Sequence, residues 1–245
     1  MTLPARLADQ VRTHLAGQAD PVRAEGEKRY LKSEIEHFGV SVPAVRTSVT
    51  ATRKEHPALG HDDVVDLVRR LWSDQVHECR LAAAFLLRAY VDRLQAADVG
   101  LLEELIRDAR TWALVDVLAG DVGGRLLLGH PEIEATYRKW GQDDDMWVRR
   151  SGLLGFLVPL RDPANHDRYF GVFTEIADSV LADPRFFVRK AIGWVLRDVG
   201  KGQPDDVFAW LVPRVPQVSG VTLREAVKYL SSDQRDELMA AYRSR

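Results

Sequence analysis

Three stretches of this chain can be laid beneath one another, and their agreement restricts the fold more than any other feature. HECRLAAAFLL (77–87), MWVRRSGLLGF (146–156) and FFVRKAIGWVL (186–196) align Arg80, Arg149 and Arg189, with Ala82, Ser151 and Ala191 two places further on. An aspartate lies five or six residues upstream of each arginine: Asp74, Asp143 or Asp144, and Asp183. Such helical segments cannot bury an apolar face alone, so copies of them must stack on one another.

The pattern resembles that of HEAT repeats. From Arg149 to Arg189 the offset is 40 residues, within the range of that repeat, and from Arg80 to Arg149 it is 69, near two shorter repeats. The missing middle copy falls around residues 112–118. Between the repeats, apolar residues recur at helical spacing. Leu7, Val11 and Leu15 form an i, i+4, i+8 stripe over 3–18, Pro21 starts a second helix, and Ser41 with Pro43 brackets the entry to a third after the extended stretch Phe38–Val42. Further helices are predicted near 62–72, 76–92, 98–109, 111–128, 131–140, 146–158, 166–181, 186–200, 204–214, 221–230 and 233–243. Strand-like alternation is nearly absent. The fold expected is all-α: a HEAT-like helical-repeat solenoid over 1–245 as a single domain, its inner helices lining a concave face.

Within that array, DPRFFVRKAIGWVLRDVGK (183–201) is a cationic helix in a chain whose bulk charge is slightly negative. Its Phe187, Ala191, Trp194 and Leu196 lie at helical spacing, beside Arg189, Lys190, Arg197 and Lys201. Asp183 and Pro184 read as N-cap and first helical residue, with Gly200 and Gly202 as the stop. The chain has 34 Lys plus Arg against 36 Asp plus Glu, a formal net charge of -2, so any surface for nucleic acid must be local. Arg6, Asp9 and Arg12 interrupt the first apolar run, leaving no signal-peptide core, and no uncharged stretch is long enough to span a membrane. One cysteine, Cys79, excludes an internal disulfide and fits a reducing compartment. A cytoplasmic protein is expected.

Chemistry becomes conceivable in the middle copy, TWALVDVLAGDVGG (111–124). Trp112 and Asp116 are four residues apart on one helical face, and Asp116 falls where the neighbouring copies carry an arginine. It reads either as an ion-pair partner for a neighbouring arginine or as a functional carboxylate. Gly120, Gly123 and Gly124 lack the strand and lysine of a phosphate loop, so close helix packing or a helix end is the better account. Asp143-Asp144-Asp145 reads as an N-terminal cap ahead of Trp147 and Arg150 rather than a metal loop, and His61-Asp62-Asp63 is treated alike. The seven histidines show neither HExxH spacing nor a nearby nucleophile, so hydrolase triads find no support and no metal is expected.

Together, Tyr30, TWALVD (111–116), DMWVRRS (145–151), FFVRKAIGWVLR (186–197) and VTLREAVKYL (221–230) resemble the AlkD-type DNA alkylation repair glycosylases. The match runs in order over most of the chain, and FFVRKAIGWVLR is its most specific part. The resemblance implies HEAT-like repeats with a concave DNA-binding cleft and removal of N3- or N7-alkylated purines from duplex DNA. By position, Asp116 matches the family's catalytic carboxylate and Trp112 the aromatic one turn before it. Trp194 matches the second site tryptophan and Arg150 the basic residue that holds the backbone, with Arg149 as its neighbour. Phe186 and Phe187 match aromatics at the cleft, and Tyr30 the N-terminal aromatic. Arg149, Arg189 and Lys190 are expected on phosphates, with Arg46, Arg224 and Lys228 further along.

That chemistry suits the residues. Alkylation leaves the purine cationic and a good leaving group, and its departure puts positive charge on the deoxyribose. A carboxylate beside the sugar stabilises the oxocarbenium ion and orients the attacking water. Tryptophan faces attract cations. The expectation is a monofunctional, monomeric glycosylase without a cofactor. The alternatives are a non-catalytic helical-repeat protein that binds DNA structures and a scaffold for a protein partner.

Overall fold

The computed structural model describes residues 1–245, and its regular structure is helical, with one isolated parallel bridge between Glu36 and Val76 where a strand would otherwise be sought. The all-α expectation holds. No helix is long and apolar enough to cross a membrane. Packing divides the chain into two compact units, Met1–Leu118 and Ala119–Arg245.

In the first unit, α1 (Leu3–Ala16) packs on α4 (His61–Ser73), and α3 (Val42–Glu55) packs on α5 (His77–Ala89), which also pairs with α4. Leu7, Val11 and Leu15 are all buried, as their spacing requires. Their transfer from water stabilises the unit by roughly 1.5–3 kcal/mol per side chain. α6 (Val99–Ala109) lies on the short helix α7 (Trp112–Asp116), which itself reaches α5. Thus α3, α5 and α7 form a row, as second helices of stacked pairs do. α2 (Pro21–Leu31) is different, since none of its residues is buried.

The link after α2 is anchored instead. His37, Phe38, Gly39 and Val40 are buried, and the amides of the last three donate to the carboxylate of Glu78 at 2.9, 2.6 and 3.1 Å. Glu78 is only 1% exposed, so these three donors supply what water no longer can.

The second unit contains α8 (Gly124–Gly129), α9 (Glu134–Trp140), α10 (Met146–Leu154), α11 (Pro163–Ser179), α12 (Phe186–Val199), α13 (Pro204–Leu211), α14 (Gly220–Ala226) and α15 (Ser232–Arg243). Here α9 pairs with α10, and α10, α12 and α14 form the row of second helices. The approach of α10 to α9 is close. A Cβ on Gly152 would come within 2.4 Å of the Gly141 nitrogen, so only glycine fits. Gly124 serves the same end, since its Cβ would meet the Gly155 carbonyl at 2.9 Å, which bears out the packing account of that glycine.

The aligned arginines explain the repeat. Arg80 donates through Nε to the carbonyl of Trp72 and pairs with Asp108 of the next helix at 3.0 Å. Arg149 donates through Nε to the Asp143 carbonyl at 2.7 Å and pairs with Asp183 at 2.8 Å. Arg189 repeats the first half of this, donating to the Asp183 carbonyl at 2.6 Å. Each pins its helix to the preceding turn, and the first two also reach the following repeat.

Helix entries mostly follow the local rules. Asp20, Ser41 and Asp145 each cap a helix through the side chain, Asp145 accepting from the amides of Trp147 and Val148 at 2.7 and 3.1 Å. One entry departs from expectation. Asp183 and Pro184 lie outside α12, whose N-cap is Arg185. The Asp183 carboxylate is drawn instead to the amide and guanidinium of Arg185 and to Arg149. The Arg185 bond, reinforced by Arg149, holds its carboxyl well below the usual carboxylate range.

Candidate functional site

The expected residues gather into one group per unit. In the first, Trp112 and Asp116 stand one turn apart at the two ends of α7, both half-buried. Tyr30, near the end of α2, forms a T-shaped pair with Trp112, the ring centroids 6.0 Å apart. That tyrosine is 73% exposed, an unusual state for an aromatic ring. The buried link behind α2 fixes where it stands, because the Asp20 amide donates to the Phe38 carbonyl at 2.8 Å. An aromatic pair and a carboxylate therefore share one surface of this unit.

The backbone beyond Asp116 is irregular. Residues Val117–Gly123 form a π-helical stretch before the α-helix resumes at Gly124. π-Helical segments shift a helix's register and occur frequently at functional sites. Here the widened turn begins immediately after the carboxylate, with Gly120 and Gly123 inside it. The glycines of this stretch were the only sequence signal for it.

In the second unit the group is built on α10 and α12. Arg150 is 2% exposed, donates through Nη1 to the Phe187 carbonyl at 2.6 Å, and lies over the rings of Phe187 and Trp194 at 5.7 and 5.9 Å. The ring of Phe187 in turn meets Trp147 at 4.9 Å and Phe186 at 5.3 Å. Phe186 is 51% exposed, with the Lys190 ammonium 5.8 Å from its ring centre. A guanidinium held among aromatic faces gains cation–π attraction and keeps those faces in place.

The structure gives Arg150 and its neighbour Arg149 different surroundings. Arg150 faces the aromatic group, and Arg149 turns to Asp183. Arg189 is likewise engaged at the Asp183 carbonyl. The helical pattern of α12 splits accordingly. Val188, Ala191, Ile192, Val195 and Leu196 are buried, while Phe187 and Trp194 are only partly so and stand with Arg150. Trp147 joins them, a residue whose part was not evident beyond its spacing from Arg150.

One further cluster has metal-ligand composition: Glu27, His37 and Glu78 offer ligand atoms within 4.8 Å of one another. Its chemistry points to structure instead. Both oxygens of Glu78 accept backbone amides, and His37 stacks on His77 with centroids 4.5 Å apart and planes 5° from parallel. Burial favours the neutral form of both rings, pushing His77 down to about 3 and lowering His37 as well.

Comparison with known proteins is consistent with this geometry. The sequence model of the family described as "DNA alkylation repair enzyme" matches residues 11–230. Among curated protein sequences, none matches. Among solved structures, one described as a predicted DNA alkylation repair enzyme from Enterococcus faecalis superposes with a TM-score of 0.76 at 20% identity, covering 87% of this chain and 97% of its own. AlkD2 from Streptococcus mutans superposes with a TM-score of 0.62 at 17% identity, covering 84% and 99%. At such identities the likeness is one of fold: both are similar helical-repeat proteins.

Proposed function

The chain belongs to the DNA alkylation repair enzyme family, and from that premise we propose that it is a DNA glycosylase that hydrolyses the N-glycosidic bond of cationic N3- or N7-alkylated purines in duplex DNA. The observation that carries this reading is the pairing on one short helix of half-buried Asp116 with Trp112, whose ring forms a T-shaped pair with that of exposed Tyr30.

In this reading the leaving base already carries positive charge, so no strong general acid is needed. The charge that must be accommodated is the one that develops on the deoxyribose. Asp116 stabilises that oxocarbenium character and orients the water that attacks C1′. Carboxylate stabilisation of this kind acts only as charge develops, which is what accelerates the chemical step. The face of Trp112 favours a cationic base over a neutral purine by about 0.5–2 kcal/mol, and Trp194 does the same in the second unit.

Arg150 has a double role. Its bond to the Phe187 carbonyl and its place against Phe187 and Trp194 set the first turns of α12, and its charge favours a nearby phosphate. Phe186 and Tyr30 offer exposed rings to the nucleic acid, and Lys190 an ammonium beside one of them. Phosphate contacts of this kind position the duplex without reading its sequence. Arg149 and Arg189 support the same surface by tying α10 and α12 to the Asp183 turn.

The protein acts as a monomer in the cytoplasm without a cofactor, and its products are the free alkylated base and an abasic strand. Incubation with N-methyl-N-nitrosourea-treated duplex tests this. Free 7-methylguanine or 3-methyladenine should appear, with strand breaks only after alkali. Tight binding of the duplex with no base released contradicts the enzymatic reading and leaves a DNA-structure-binding protein.

A further inference from the structure

The first unit contains a cleft of about 670 Å³ that the proposed chemistry does not use. It is bounded by the link after α2, the C-terminal ends of α4 and α6, and the start of α7, with Lys32, Ser33, Arg80, Asp108, Arg110 and Thr111 among its lining residues. We infer that this cleft binds a phosphate group, which on the duplex is a backbone phosphate flanking the lesion; that second step rests on the proposed function.

Two independent observations carry the inference. The first is conformational. Lys32 and Arg110 are the only non-glycine residues of the chain with positive φ, at 52° and 49°, and both line this one cleft. The left-handed region is unfavourable for a side chain with a Cβ, and glycine or asparagine is the usual choice at a helix end. Two long cationic side chains at such positions indicate a demand that conformation alone does not explain. Each is followed by a hydroxyl residue, Ser33 or Thr111, so the motif of left-handed cation then hydroxyl occurs twice, facing one space.

The second observation is chemical. Thr111 is 6% exposed, and its hydroxyl has no hydrogen-bond partner, not even the α7 amides that an N-cap threonine would ordinarily serve. A buried hydroxyl without a partner is uncommon, and a ligand oxygen is one way to complete it. Arg80 forms a fixed floor, tied to the carbonyls of Trp72 and Asp108 and to the Asp108 carboxylate. Three cations line the cleft against the two carboxylates Asp108 and Glu34, leaving one net positive charge, and with Arg80 paired to Asp108 it lies on the exposed cations Lys32 and Arg110. Tetrahedral anions suit such a mixture of point charge and hydroxyl donors.

The test uses the full chain and the variants Lys32→Gly and Arg110→Gly, singly and together, with Lys54→Gln on α3 as a control for loss of one exposed charge. Affinity for an undamaged duplex is measured against salt, so the outcome does not depend on base excision. Each glycine should lower the slope of log K against log salt by about 0.9, while the control leaves it near the native value. Thermal unfolding should show the glycine variants folded and no less stable, which separates a binding role from a structural one. In a second arm, inorganic phosphate is titrated and amide shifts at Lys32–Ser33 and Arg110–Thr111 are followed by NMR. Shifts in the native protein that vanish in the double variant support the phosphate site. Native shifts with an unchanged duplex slope overturn the backbone assignment and leave a site for free phosphate. No shifts and no change in slope overturn the inference altogether. A duplex slope that responds while no base is ever released sinks the glycosylase reading and leaves this one standing.

Discussion

At the scale of single residues, burial separates the aligned positions into different tasks. Arg150 and Arg149 are neighbours in sequence, yet one lies against aromatic faces and the other against a carboxylate. Replacing Arg150 with methionine keeps the volume and removes the donor that serves the Phe187 carbonyl. A loss of about 1–3 kcal/mol is expected, observable as a drop of several degrees in Tm. Trp194→Ala should act elsewhere. It should lower kcat/KM for excision of a cationic base by roughly 2- to 30-fold, the equivalent of about 0.5–2 kcal/mol of cation–π attraction lost from binding. Excision of a neutral base should change less, and an equal effect on both would remove the charge-recognition argument. Lys32→Gly relieves a left-handed lysine at the end of α2. Its expected gain in stability is about 0.5–1 kcal/mol, read by urea unfolding. A loss would mean that the lysine serves the fold.

At the scale of elements, the link between α2 and α3 shows how an unburied helix is held. It depends on the Glu78 carboxylate and on the neutral His37–His77 stack. Both rings have folded-state pKa values below the unfolded histidine value of about 6.5, so below that pH the unfolded chain binds more protons than the folded one. Stability should therefore be full above pH 6.5 and fall as pH drops toward 4.5, by up to about 1.4 kcal/mol per pH unit for His77, with His37 adding to the loss in the same direction. His77→Phe keeps an aromatic face on His37 and should flatten the profile over that window in equilibrium denaturation. An unchanged profile would show that the stack does not govern it. Such elements are only partly legible in sequence. Ser41, Pro21 and Asp145 announced their helices because capping and first-turn preferences are local chemistry, whereas the Asp20 cap emerged only from the structure. Asp183 did not cap α12, because Arg149 and Arg185 compete for its carboxylate, and Arg149 comes from another repeat. The π-helical stretch after Asp116 left only its glycines as a trace, since helical period counts cannot distinguish a widened turn from a regular one.

At the scale of the whole molecule, the repeat and the family were both readable from the chain. Arg80 and Arg149 recur because each must fasten its helix to the next repeat, and that constraint survives as a motif. Which aromatic residues stay exposed was not readable from spacing, and only the family resemblance singled out Tyr30 and Phe186. An aromatic side chain at helical spacing is equally at home in a core, and packing shows that α2 buries nothing and that α12 turns Phe186 outward. The central claim concerns Asp116, and it is tested most directly by single-turnover release of 7-methylguanine from a methylated duplex, comparing the native protein with Asp116→Asn at matched DNA occupancy. The account predicts release by the native protein and a loss of about a hundredfold or more in the variant, equivalent to about 2.7 kcal/mol of barrier. Equal release by the two proteins would contradict it.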